Sequence, residues 1–219
     1  MRHGESKANS GELLAAEYGD YRIPLSNKGE KQVCTASAKI EPDFLTDALI
    51  YCSPFLRAKQ TMNLVLKTLS LDNKDEIYIR EDPRLREIDT GYGNRKEQQL
   101  LRAVHGLFFY RYTGGESPAD CFDRVSSFVD SMIRHSQKTG KKKIFISCHS
   151  MVIRCFVMRY MHLTVDDFNL LEGPRHCDVI TIAPKNELPT SLFTYGQWGV
   201  HGLCQRDKDW KFAPYINSN

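Results

Sequence analysis

The chain has 219 residues, and 30 Lys and Arg against 27 Asp and Glu give a formal net charge of +3. Hydrophobic residues at 41%, charged residues at 26% and a mean hydropathy of −0.44 exclude intrinsic disorder and collagen-like sequence. No apolar run is long enough to span a bilayer, and the opening residues do not read as a signal peptide. So mild a charge gives no general argument for nucleic acid, and an anion site must come from local clustering. The expectation is one domain over residues 1–219 with no nucleic-acid or membrane partner. The Lys141-Lys142-Lys143 run reads as a solvated turn ahead of a strand.

Cys34, Cys52, Cys121, Cys148, Cys155, Cys177 and Cys204 are odd in number and form no close CxxC pair. Free thiols and a cytoplasmic location fit that usage, and no zinc or other metal is expected. In chain order, Ser26 can cap a helix running through Gly29 to Ile40, followed by a buried strand over Ala48–Cys52. Ser53-Pro54 then reads as an N-cap with proline at the first helical position, opening a helix to about Leu69. Glu76–Ile79 reads as a second strand, and Arg95–Tyr112 as a long amphipathic helix. Ser117-Pro118-Ala119-Asp120 repeats the cap-plus-proline pattern and opens a helix to about His135. A third strand at Lys143–Cys148, helices at Met151–Tyr160 and Val165–Leu171, and a fourth strand at Cys177–Ala183 complete the pattern. Strands alternating with helices predict an α/β fold, a three-layer α/β/α arrangement around a largely parallel sheet.

In such sheets ligands bind beyond the carboxyl ends of the strands. There the sequence places Arg57, in the helix after Ala48–Cys52, and His149, directly after Lys143–Cys148. Arg2-His3-Gly4-Glu5-Ser6 stands at the start, again ahead of a helical stretch. Two arginines and two histidines beside helix N-termini describe a pocket for a dianion, most naturally a phosphoryl group.

RHGES at residue 2, SPFLRAKQT around Arg57, LREIDTGYGN around Glu87 and CHSMVIR around His149 together resemble the histidine phosphatase superfamily, in its phosphoglycerate-mutase-like branch. The blocks stand in family order from residue 1 to about Ala183, with Pro24-Leu25-Ser26-x-x-Gly29 and Gly115-Glu116-Ser117 at matching places. The resemblance implies that His3 is the nucleophile and forms a phosphohistidine, while Arg2, Arg57 and His149 hold the phosphoryl oxygens. It adds Asn9 as a further donor and Glu87 as the acid that protonates the leaving oxygen and then activates water. It implies no cofactor. The chemistry agrees: nearby guanidinium charges keep a histidine nucleophile unprotonated, fixed cations stabilise phosphoryl charge, and an alkoxide needs an acid. For Glu87 the competing reading is a surface carboxylate paired with Arg84 or Arg86, with Asp89 and Glu97 as neighbouring carboxylates. Glu116 is open between a partner supporting the pocket and a carboxylate favoured by the helix start at Ser117.

Two departures stand out. Ser150 follows His149 where the family usually has glycine, which narrows the backbone but adds a hydroxyl beside the pocket. Family members also place RHG at the end of a buried first strand, whereas here only Met1 precedes Arg2. Losing three buried aliphatic side chains would forgo on the order of 5–8 kcal/mol, so the expectation is that residues upstream of Met1 supply that strand. A phosphatase and a mutase share such a site. About 60 residues separate Glu87 from His149, with no room for a long closing insertion, which favours the phosphatase. A phosphoglycerate mutase is the alternative, and a phosphate-binding scaffold without catalysis the second. The substrate is a small phosphomonoester or a phosphoprotein, and a homodimer is compatible with the sequence. Phe108, Phe109, Tyr110 and Tyr112 are expected to form a lid, at least two of them serving as core. The segment from Thr194 carries Trp198 and Trp210 without a functional reading.

Overall fold

Strand β1 (Leu49–Cys52) is buried along its whole length, which is what an apolar run of strand length flanked on both sides requires. The computed structural model describes residues 1–72, 77–207 and 210. In it β1 pairs in parallel with β2 (Ile79–Glu81) on one side and β3 (Ile144–Ser147) on the other. Residues 1–3 extend the sheet past β3. The Met1 ammonium donates to the Ile146 carbonyl at 2.8 Å, and the Cys148 and His3 amides donate to the carbonyls of Met1 and Cys148 at 3.0 Å. On the far side the Arg2 amide donates to the Asp178 carbonyl.

Successive residues of β1 face opposite layers. Leu49 and Tyr51 join a core with α6 (Pro118–Thr139), α7 (Ser150–Tyr160) and α8 (Val165–Leu170), in which Phe128 and Phe168 are buried. Ile50 and Cys52 join a second core with Met1, α2 (Asn27–Ser37) and α4 (Leu56–Thr68). Short helices α1 (Ala15–Tyr18) and α3 (Pro42–Thr46) precede and follow α2. The three layers are those expected, and α6 opens with the capping box of Ser117 and Asp120.

Several elements differ from the sequence reading. The second strand begins at Ile79 rather than Glu76, which lies outside the described residues. Helix α4 begins at Leu56 with no side-chain cap, because Phe55 stands at the cap position, while the Ser53 hydroxyl meets His149 and the Phe55 amide. Helix α5 (Arg95–His105) stops seven residues before Tyr112, at Gly106, whose φ of 85° is a left-handed conformation that ends a helix. The fourth strand is not part of the parallel sheet. Strand β4 (Thr181–Pro184) pairs antiparallel with β6 (Trp198–His201), which also pairs with β5 (Thr194–Tyr195). A short apolar run does not disclose its partner, and here the partner is a hairpin in the C-terminal segment that sequence reasoning left unassigned.

The seven cysteines are all free. Among the described residues no helix is long and apolar enough to cross a membrane, and no group of three His, Cys, Asp or Glu side chains is arranged to hold a metal.

Candidate active site

The carboxyl ends of β1 and β3 and the first residues of the chain meet at one place. His3 is 3% exposed there, and its ring lies 5.0 Å from that of His149, which is completely buried. Two glycines make the approach possible. A Cβ on Gly4 would stand 2.7 Å from the Gly29 carbonyl oxygen, and one on Gly29 would stand 2.0 Å from that of Glu5. The start of α2, capped by Ser26 accepting from the Gly29 amide at 3.0 Å, is therefore pressed directly onto the His3 loop.

The His3 tautomer is set by a neighbour, and His149 faces a hydroxyl. His3 Nδ1 lies 2.6 Å from the Gly4 carbonyl oxygen. A carbonyl only accepts, so Nδ1 carries the proton and Nε2 the lone pair. His149 Nε2 lies 2.7 Å from the Ser53 hydroxyl, and its Nδ1 is buried with no partner. With Ser53 donating, Nδ1 of His149 is an N–H awaiting an acceptor. Burial, then the charge of Arg57, holds His3 well below the usual histidine range; burial and the other imidazole do the same for His149.

Arg57, in the first turn of α4, is 5% exposed. Its Nη1 donates to the Asp20 carbonyl and to Asp20 Oδ1, both at 2.8 Å, and its Nη2 donates to Oδ2 at 3.2 Å. Arg2 donates from Nη1 to the Pro174 carbonyl at 2.7 Å, meets His176 Nε2 with Nη2 at 3.0 Å, and has a buried, unpartnered Nε. An anion with several acceptor oxygens supplies what Arg2 Nε and His149 Nδ1 lack. Asn9 is exposed, and its carbonyl oxygen accepts from the Ser6 amide and hydroxyl, leaving its amide nitrogen as donor.

Glu87 follows a 3-10 turn at Pro83–Leu85. Neither Arg84 nor Arg86 pairs with it: Arg84 is held by Asp82 and Arg86 by Glu116. Its carboxylate accepts from the Ile88 amide at 3.0 Å, and burial raises it above the ordinary glutamate value against the pull of Arg57 and Arg2. Glu116 binds Arg86 and accepts from Arg124 Nε and Nη2, each at 3.0 Å. Arg124 in turn donates to the carbonyls of Arg84 and Arg86 at 2.6 and 2.8 Å. Glu116 thus braces the turn that carries Glu87. Ser150 opens α7 with its hydroxyl against Gly173, where a Cβ would fall 2.6 Å away.

Sequence reasoning missed Asp20, Arg124, His176 and Arg154, and it read Ser53 only as a helix cap. Arg154 lies five residues after His149, donates to the Phe168 carbonyl at 2.8 Å and has a buried, unpartnered Nε. Burial, together with the charges of Arg206 and Arg102, brings it down to about 10. The Arg102 guanidinium lies over the Tyr112 ring, 5.2 Å from its centroid. Of the four aromatic residues expected in a lid, Phe108 and Tyr110 are core, Tyr112 is half-buried, and Phe109 is 64% exposed.

Residues 1–193 match the family model described as histidine phosphatase superfamily, branch 1. A phosphoglycerate mutase-like protein of Arabidopsis thaliana, AT74H, is 32% identical over 201 residues, covering 81% of this chain and 70% of that protein. The solved structure of a mycobacterial hydrolase is similar with a TM-score of 0.65 at 19% identity, over 97% of this chain and 96% of that one. A mycobacterial glucosyl-3-phosphoglycerate phosphatase is similar with a TM-score of 0.63 at 21% identity, over 81% and 87%.

Proposed function

The chain belongs to branch 1 of the histidine phosphatase superfamily, and from that premise we propose that it hydrolyses phosphomonoesters through a phosphohistidine on His3. The observation that carries the reading is a lone pair on His3 Nε2 beside a buried, unpartnered His149 Nδ1.

In the first step His3 Nε2 attacks phosphorus while the phosphorus–ester oxygen bond breaks, and the Glu87 carboxyl gives its proton to the leaving oxygen. Burial, which raises Glu87, favours the protonated form that this step needs. Arg2, Arg57 and a His149 Nδ1–H stabilise the charge on the phosphoryl oxygens. In the second step water attacks phosphorus, the Glu87 carboxylate takes its proton, and the nitrogen–phosphorus bond breaks. The lone pair returns to His3, and phosphate leaves.

Hydrolysis needs water at the phosphohistidine. The Asp20 side chain bound to Arg57 is 44% exposed, so solvent reaches the Arg57 side of the pocket, which favours hydrolysis over the mutase alternative.

The test is to incubate the protein with EDTA and either p-nitrophenyl phosphate or 3-phosphoglycerate, with a His3→Ala variant alongside. Phosphate release that survives EDTA and disappears in the variant is the expected result. Isomerisation to 2-phosphoglycerate with little free phosphate would make the protein a mutase, and no turnover would leave a binding scaffold.

A further inference from the structure

His176 has no part in the reaction just described, yet it touches two groups of the phosphate pocket. Its Nε2 lies 3.0 Å from Arg2 Nη2 and 3.1 Å from Asn9 Oδ1, and its ring centroid is 5.8 Å from that of His3. The guanidinium nitrogen can only donate, and Asn9 Oδ1, which already takes two hydrogen bonds from Ser6, can only accept. One imidazole nitrogen therefore faces a donor and an acceptor at once. With a lone pair on Nε2 the ring satisfies Arg2 and opposes Asn9; with a proton there it satisfies Asn9 and opposes Arg2. In the empty pocket neither neutral tautomer satisfies both.

The backbone that presents His176 is itself unusual. The next residue, Cys177, is buried with φ at +66°, a left-handed conformation costly for a side chain with a Cβ. The turn is tied down by the Arg175 amide donating to Asp178 Oδ2 at 2.7 Å and by the Asp178 carbonyl accepting from the Arg2 amide. Strain held in this way at a pocket is a mark of a positioned side chain.

We propose that His176 is a further anion-binding residue whose Nε2 changes from acceptor to donor when a phosphoryl dianion enters. In the empty pocket it accepts from Arg2. A dianion draws the Arg2 donor away, and His176 then takes a proton from solvent, donates to Asn9 and adds a positive charge beside the ligand. The groups facing it are Arg2 and Lys28, which disfavour its charge, Glu5 and Asp178, which favour it, and the ring of His3. Among these neighbours burial and Arg2 prevail and hold it down to about 4. A bound dianion reverses the sign of that balance.

The inference rests on the phosphate-pocket reading above, and sulfate separates the two, because it remains a dianion throughout the working pH range. Nitrogen-15 spectra of the histidine rings, recorded on the full chain without and with saturating sulfate, give the state of His176 directly. The expected result is an unprotonated Nε2 in the empty protein and protonation of both nitrogens with sulfate bound. In parallel, sulfate affinity between pH 5 and 7 should lose up to about tenfold per pH unit of its dependence in His176→Asn, the limit for one linked proton. The Asn variant still binds sulfate. Binding with unchanged His176 signals and the same pH slope in both proteins would overturn this proposal alone. No sulfate binding in the unaltered protein would overturn it together with the pocket reading.

Discussion

Around His3 the charged and titratable groups are held largely by main-chain oxygens and neutral side chains: His3 by the Gly4 carbonyl, His149 by Ser53, Arg2 by the Pro174 carbonyl and His176. Around Glu87 the arginines are met by carboxylates instead, Arg84 by Asp82 and both Arg86 and Arg124 by Glu116. The first arrangement keeps positive charge and unpartnered N–H groups ready for an anion. The second neutralises the frame, so that Glu87 titrates mainly under its own burial. One region is built to receive charge and the other to hold a proton still.

The largest effect tests the proton-holding side. Glu87→Gln keeps the shape of the side chain but removes the acid, and kcat on alkyl phosphates is expected to fall by about 10² to 10⁴. On p-nitrophenyl phosphate, whose phenolate leaves without protonation, the first step should be much less affected. Equal losses on both esters, measured by single-turnover kinetics, would remove Glu87 from the acid role. The pH profile gives a second check. kcat/KM needs His3 neutral and Glu87 protonated; the first is held low and the second high, so activity should fall as pH rises through the Glu87 value. That limb should vanish in Glu87→Gln.

Next comes the brace. Glu116 is 14% exposed and lies between two arginines. Glu116→Gln strands their charges and should destabilise the fold by about 2–4 kcal/mol, read from the urea midpoint. Because Arg124 holds the carbonyls on either side of Leu85, kcat should fall as well. A loss below about 0.5 kcal/mol would mean that the paired frame is only surface decoration.

The phosphate-receiving side makes the protein acid-sensitive. His3, His149 and His176 are all held below the ordinary 6.5, the last at about 4. As pH falls through 6.5 the unfolded chain takes up protons that the folded one refuses, so stability drops. Glu87, held high, acts in the opposite sense, losing stability as pH rises. Three groups against one set the net sign: the melting temperature should fall between pH 7.5 and 5, and sulfate should restore part of it.

Arg2, His3, Arg57 and His149 could be placed from sequence because each stands next to a strand end, where local pattern and site coincide. Glu87 was harder, since its competing partners Arg84 and Arg86 are neighbours in sequence and only the fold shows them engaged elsewhere. Asp20 and His176 were out of reach for a related reason: they meet Arg57 and Arg2 across 37 and 174 residues. No spacing rule reports such contacts. The same limit placed Cys177–Ala183 in the parallel sheet and carried the Arg95 helix to Tyr112, since a run of apolar residues says that it is buried but not beside what.

Asp20 is a carboxylate that breaks the contrast between the two regions, and it predicts the smallest effect. It binds Arg57 through both carboxylate oxygens while 44% exposed, so it competes with a phosphoryl group for the same guanidinium at the solvent edge of the pocket. Exposure keeps the pair weak, within about 1 kcal/mol, so the competition is mild and reversible. On the proposed mechanism the carboxylate would recapture Arg57 as phosphate leaves, aiding product release. Asp20→Asn keeps a hydrogen-bonding oxygen and removes the charge. Inhibition by inorganic phosphate should tighten by about three- to fivefold, the equivalent of that energy, with the fold unaffected. If phosphate instead bound more weakly in Asp20→Asn, the carboxylate would be aligning Arg57 for the ligand, and the phosphate side would prove to be carboxylate-braced like the Glu87 side.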